Sequence, residues 1–147
     1  MGIAVCTVDK SFHKGGYLSA PLKKALKKHP LVKRDFAYLY GACIWELVKE
    51  DLIKINKLII CDDEDFTIVR DSLIVLSGYK LRKEKIISIS GLRRTSGKNI
   101  KSSADNLAAK YRKCARNKSK VYKYNLNVVN LNLSDIKRLL AILEKKL

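Results

Sequence analysis

Acidic residues are scarce in this chain. Only 14 Asp and Glu face 31 Lys and Arg over 147 residues, a formal net charge of +17. Proline is scarcer still, at two, and glycine numbers seven, which excludes a linker-rich or low-complexity chain. No segment repeats at a fixed period. No apolar run approaches the roughly 18 residues that a membrane span needs. The first residues, MGIAVCTVDKSF, carry no charged leader and no small-residue cleavage site, and Gly2 is not followed by the Ser or Thr of a myristoylation signal. The expectation is a soluble, intracellular, cytoplasmic protein with no membrane partner. There is no C-x-x-C pair either. Cys6, Cys43, Cys61 and Cys114 lie far apart beside apolar neighbours, as small buried hydrophobes do in a reducing compartment. Zinc sites usually show paired spacing, which is missing here. No glycine-rich phosphate loop follows the first strand, which argues against a dinucleotide-binding domain.

What is present is an ordinary globular mixture, 47% hydrophobic and 31% charged, long enough for one domain with a real core. Its charge is unevenly spread. Residues 1–34 hold eight Lys or Arg against Asp9, and residues 101–123 hold eight against Asp105. Residues 35–71 reverse the balance, with nine acids against four bases. An excess of this size points to a polyanionic partner, either nucleic acid (DNA or RNA) or an anionic surface. The candidate contacts are Lys23, Lys24, Lys27 and Lys28 in one basic segment, Arg93, Arg94 and Lys98 in a polar loop, and Arg112, Lys113 and Arg116 in a basic helix. Tyr122 and Tyr124 also sit among bases, where core packing competes with base stacking as their role.

Hydrophobic patterning orders the elements. Ile3 to Phe12 reads as a strand buried on both faces, interrupted by Asp9. Lys14-Gly15-Gly16 reads as a turn, and residues 17–20 as a short partner strand. Residues 21–29 form either a basic helical turn or a connector. Pro30 opens a helix to about Asp51, with Phe36, Leu39, Tyr40, Cys43, Ile44, Leu47 and Val48 as its apolar stripe. A strand over 57–62 feeds a helix over 64–77, with Phe66, Val69, Leu73 and Leu76 on one face and Ser77-Gly78 at its end. A strand over 84–90, a polar loop over 91–99 and a helix from Ser102 or Ser103 to about Asn117 follow. Lys120 to Leu133 fits a strand or an extended segment. Ser134-Asp135 opens a last amphipathic helix, whose apolar stripe offers a face for a homodimer. Residues 1–117 would form an α/β core, and residues 118–147 a strand-helix extension packed on the same domain.

Strands alternating with helices imply a parallel or mixed sheet. If the strands at 3–12, 57–62 and 84–90 run parallel, their C-terminal ends share one edge. Asp62 ends one of these strands, and Asp9 lies late in another. Asp35 lies in the second turn of the helix from Pro30, and Asp105 in the first turn of a later helix. All four would converge at that edge. Glu46 and Glu50 compete with Asp35, but fall some 16 to 22 Å further along the helix at about 1.5 Å per residue. Clustered carboxylates repel unless a cation lies among them. Oxygen-only ligands suit Mg²⁺ or Mn²⁺, and two such ions support phosphodiester hydrolysis. The ordinary alternatives stay open: Asp62 to Asp65 as charge at a helix start, Asp35 as a surface acid beside Arg34, and Asp105 as a first-turn acid.

Cys61-Asp62-Asp63 ahead of a helix, and Ile86 to Gly91 followed by a polar loop and Ala104-Asp105-Asn106-Leu107-Ala108, resemble the ribonuclease H-like superfamily of nucleases, resolvases and integrases. That resemblance covers residues 3–117. It implies a ribonuclease H-like fold, a mixed central sheet with flanking helices, and a divalent-metal-dependent nuclease. Its catalytic acids would be Asp9, Asp35, Asp62 and Asp105, with Asp9, Asp62 and Asp105 as ligands of Mg²⁺ or Mn²⁺. The chain departs from the pattern in two places: Lys10 to His29 is short for the usual second and third strands, and the loop before Asp105 contains no histidine. A non-catalytic nucleic-acid-binding protein on an α/β scaffold is the competing expectation.

Overall fold

A computed structural model describes residues 1–7, 13–61, 63–91 and 103–146, and of residues 103–105 only the helical backbone. It is a mixed α/β structure, richer in helix than in strand. The order is β1 (Gly2–Cys6), β2 (His13–Tyr17), α1 (Ala20–Leu26), α2 (Pro30–Arg34), α3 (Ala37–Val48), β3 (Leu58–Ile60), α4 (Phe66–Leu76), β4 (Ile86–Ser88), α5 (Ser103–Cys114), α6 (Lys118–Lys123) and α7 (Leu133–Lys146). Among the described residues, no helix is long and apolar enough to cross a membrane.

The described strands pair as two ribbons. β1 and β2 run antiparallel, from Gly2 opposite Tyr17 to Cys6 opposite His13. β3 and β4 run parallel, from Leu58 opposite Ile86 to Ile60 opposite Ser88. The crossover expected between the strands at 57–62 and 84–90 is therefore real, with α4 as its helix. The single edge shared with the first strand is not seen: among the described residues, the ladder of β1 is with β2. Lys14-Gly15-Gly16, expected as a turn, is the middle of β2. Glycine signals a turn in sequence, but it also suits a strand approached closely by other chain. A Cβ on Gly15 would lie 2.5 Å from the Tyr111 ring, and one on Gly16 would lie 2.8 Å from Leu131. Backbone hydrogen bonds then tie Gly15 to the 127–129 segment: its N–H donates to Asn127 O at 3.1 Å, and Val129 N–H donates to its carbonyl at 2.7 Å.

α3 is the central packing element. It contacts α2, α4, α7, β1 and β2. Leu39, Cys43, Ile44, Leu47 and Val48 of its expected stripe are buried. Val69 and Leu73 of α4 face it, with Gly41 against Ser72. The helix expected from Pro30 to Asp51 is broken: α2 ends at Arg34, Asp35 is extended (φ −157°, ψ 129°), and α3 begins at Ala37. Asp35 Oδ1 accepts the Ala37 N–H at 2.9 Å. A short carboxylate that bonds backbone two residues on favours a break over helix interior. Residues 118–123 are helical, not strand or extended, with Asn117 as the cap that accepts from Lys120 N–H at 3.1 Å. α7 buries Ile136, Leu139, Leu140 and Leu143 in the main core against α1, α3 and α4. Its stripe is consumed within its own chain, so the face expected for a homodimer is not available. Burial, with the Glu46 carboxylate second, pushes the Cys43 thiol up to about 12, which fits its expected role as an inert small hydrophobe.

Candidate carboxylate mouth and basic interface

A small cleft opens where β1, α3, α5 and the β3–α4 turn meet. Met1, Gly2, Ile3 and Ala4 form one wall, Phe36 and Tyr40 a second, and Cys61, Asp63, Glu64 and Ala108 the rest. Its volume is about 170 Å³. Pockets that enclose small ligands start at roughly 300 Å³, so a nucleotide would meet the rim of this cleft and not its interior.

Acids gather at that rim. The Glu64 carboxyl is pushed above its ordinary range, first by burial and then by the charges of Asp35 and Asp63, with Lys23 opposing. Asp35, from the α2–α3 break, and the Asp63-Glu64 pair, from the β3–α4 turn, therefore share one electrostatic field. Asp65 plays a different part. Its Oδ1 accepts the Ile68 N–H at 3.2 Å and caps α4. The expectation of helix-start charge thus suits Asp65 but misses Glu64, whose carboxyl feels the charges of Asp35 and Asp63.

Asp9 and Asp62 lie outside the described residues, although the chain neighbours of Asp62, Cys61 and Asp63, both line the cleft. Asp105 stands in the first turn of α5, one turn before Ala108 of the cleft wall. Asp35 reaches the same region from an interhelical break, not from the second helical turn expected for it. Its rivals are elsewhere: Glu46 is buried on α3 and takes a 2.8 Å hydrogen bond from Lys49 Nζ, while Glu50 is exposed beyond that helix. Among the described residues, no group of three or more His, Cys, Asp or Glu side chains is placed to hold a metal ion. The described carboxylates alone therefore do not fit a Mg²⁺ or Mn²⁺ site, and one oxygen of Asp35 is already engaged by backbone.

Bases border the acids closely. Lys23 and Lys27 place their ammonium groups 5.5 and 5.9 Å from the Phe36 ring centroid. With Lys33, Val32 and Glu64 they line a second, shallower hollow. Lys24 and Lys28 are exposed on and just after α1. Arg112 and Lys113 are exposed on α5, and Arg116 is exposed just after it. The Arg116 guanidinium lies 4.4 Å from the Tyr17 ring centroid and donates to its hydroxyl at 3.0 Å. The Met1 amine is lowered from its ordinary value first by burial, then by Lys23, Arg112 and Arg116. Two basic segments distant in sequence therefore act on one corner of the cleft. Arg93, Arg94 and Lys98 lie outside the described residues.

Sequence reasoning also passed over Lys110 and Lys123, whose ammonium groups lie 4.7 and 5.5 Å from the Tyr124 ring centroid. The charge count over 101–123 contained that signal, whereas nothing local announced Tyr17 as the partner of Arg116. Comparison with protein-family models, with curated proteins and with solved structures gives no match for this chain.

Proposed function

We propose that this protein is a divalent-metal-dependent nuclease of the ribonuclease H-like kind, hydrolysing phosphodiester bonds in DNA or RNA. The observation that supports this reading is the shared field of Asp35, Asp63 and Glu64 at a cleft rim bordered by lysine and arginine. Neighbouring carboxylates at the edge of a strongly basic surface are suited to a cation and a phosphate together. The reading assigns Asp62, with Asp9 and Asp105, to the metal, and Asp35 to the same catalytic set. Lys23, Lys27, Arg112 and Arg116 would neutralise the phosphate backbone on either side. The test is a gel assay with Mg²⁺ or Mn²⁺ on single strands, duplexes, hybrids and branched DNA, with wild type and Asp62→Asn side by side. Metal-dependent cleavage by wild type that is lost in Asp62→Asn is the expected result. No cleavage on any substrate overturns the assignment.

The second reading is a non-catalytic nucleic-acid-binding protein. It is favoured by the lack of a metal-holding group among the described residues, beside an extended basic surface. Salt-dependent binding without cleavage distinguishes it from the first.

A further inference from the structure

Residues 106–134 contain no Asp or Glu, and within them lie seven lysines and arginines on or beside α5 and α6: Lys110, Arg112, Lys113, Arg116, Lys118, Lys120 and Lys123. Tyr122 lies on α6 between Lys120 and Lys123 in the chain and is 89% exposed. Tyr124, two residues on, is 39% exposed and lies beside Lys110 and Lys123. A phenol ring left almost wholly in water forgoes the burial that usually stabilises an aromatic side chain. The short helix that carries it has no apolar stripe to offer a bilayer or a partner helix, because Val121 packs inward beside Tyr111, Cys114 and Leu126.

We infer that α6 and the adjoining face of α5 bind an unpaired stretch of nucleic acid, with one base stacked on Tyr122 and the flanking phosphates neutralised by Lys110, Lys120 and Lys123. This rests on the nucleic-acid reading above and narrows it to a substrate with a single-stranded segment. The base faces of a duplex are already stacked on one another, so an exposed ring within a basic field has something to gain only from an unpaired base. Stacking tolerates any base, so the preference is for strandedness and not for sequence.

The test is fluorescence anisotropy with end-labelled oligonucleotides of about 15 nucleotides. Single-stranded DNA, single-stranded RNA and duplex DNA are titrated in EDTA over a range of salt. Wild type should hold at least one of the single strands more tightly than the duplex. Tyr122→Ala should weaken single-strand binding about tenfold, in line with one lost base–aromatic stack, and Tyr122→Phe should restore it. Tyr122→Ala should leave the duplex affinity and the salt slope unchanged, whereas Lys120→Ala with Lys123→Ala should reduce the slope by about 1 to 2. The proposal is overturned if Tyr122→Ala has no effect on the single strands, or weakens single strand and duplex equally. It is also overturned if anionic vesicles or polyglutamate bind as tightly with the same dependence on Tyr122. Binding that ignores Tyr122 removes this inference alone, whereas no salt-dependent binding to any nucleic acid removes the wider reading with it.

Discussion

Gly15 and Tyr111 are packed so closely that a Cβ on Gly15 would sit 2.5 Å from the tyrosine ring. Tyr111 is fully buried, and α5 lies against β1 and β2 at this point. Gly15→Ala should therefore destabilise the fold by about 3 kcal/mol, because the ring has no room to retreat. Gly78→Ala should cost less, about 1 kcal/mol. Nothing lies near a Cβ at that position, and the only penalty is its φ of +63°. Urea unfolding of both variants checks the order, and equal losses would remove the steric explanation.

The Tyr111 hydroxyl joins two segments that are distant in sequence. It accepts the Asn127 N–H at 3.0 Å and lies 2.8 Å from His13 Nδ1. Burial raises the pKa of the phenol, while the Asn127 bond partly opposes this, so the group stays protonated well beyond neutral pH. Tyr111→Phe keeps the ring but strands the half-buried backbone donor. A loss of about 1 to 3 kcal/mol is expected, with faster amide exchange at Asn127. Unchanged exchange there would show that the hydroxyl does not hold the segment.

Lys14, buried in β2, pairs with Asp51 just after α3. Removing one partner leaves the other charge in a poorly solvated place. Asp51→Asn should cost about 3 kcal/mol, while Lys14→Met combined with Asp51→Asn should recover most of that loss. Thermal unfolding of the two single variants and the double variant measures the coupling. Additive losses would mean that the pair contributes nothing jointly.

Glu64 makes stability pH-dependent in a definite direction. Its carboxyl has an ordinary value of 4.5 and is raised in the folded state, by burial first and by Asp35 and Asp63 next. Between those two values the folded protein binds more protons than the unfolded chain, so unfolding free energy falls as pH rises through that window. Glu64→Gln removes this dependence. The variant should be more stable than wild type above the window and equal to it below about pH 4, as read by urea unfolding at each pH. A constant difference across pH would show that Glu64 acts by packing and not by charge.

Much of the helical layer was legible in the sequence. Apolar spacing gave the buried faces of α3, α4 and α7, because a helix that buries one stripe must repeat it every three or four residues. Pro30 at a helix start and Ser77-Gly78 as a stop were readable for equally local reasons, whereas the acids from Asp62 to Asp65 read only as helix-start charge, without Asp65 singled out as the cap. β2 was not readable, since HKGGY has too few side chains to show a period, and its glycines answer to Tyr111 and Leu131 far along the chain. The break at Asp35 was hidden by hydrophobic residues on both sides that fit one continuous helix.

The sign and spread of charge and the amphipathic helices were fixed by residues close together in the chain, and the alternation of strand and helix was enough to anticipate the β3–α4–β4 crossover. Which acids share a field was settled in three dimensions. The tertiary structure put Glu64 in the field of Asp35, drew Lys23 and Arg112 to the same corner, and buried the stripe of α7 within its own core. Electrostatic fields and close packing depend on distance through space, and local pattern carries no measure of that distance.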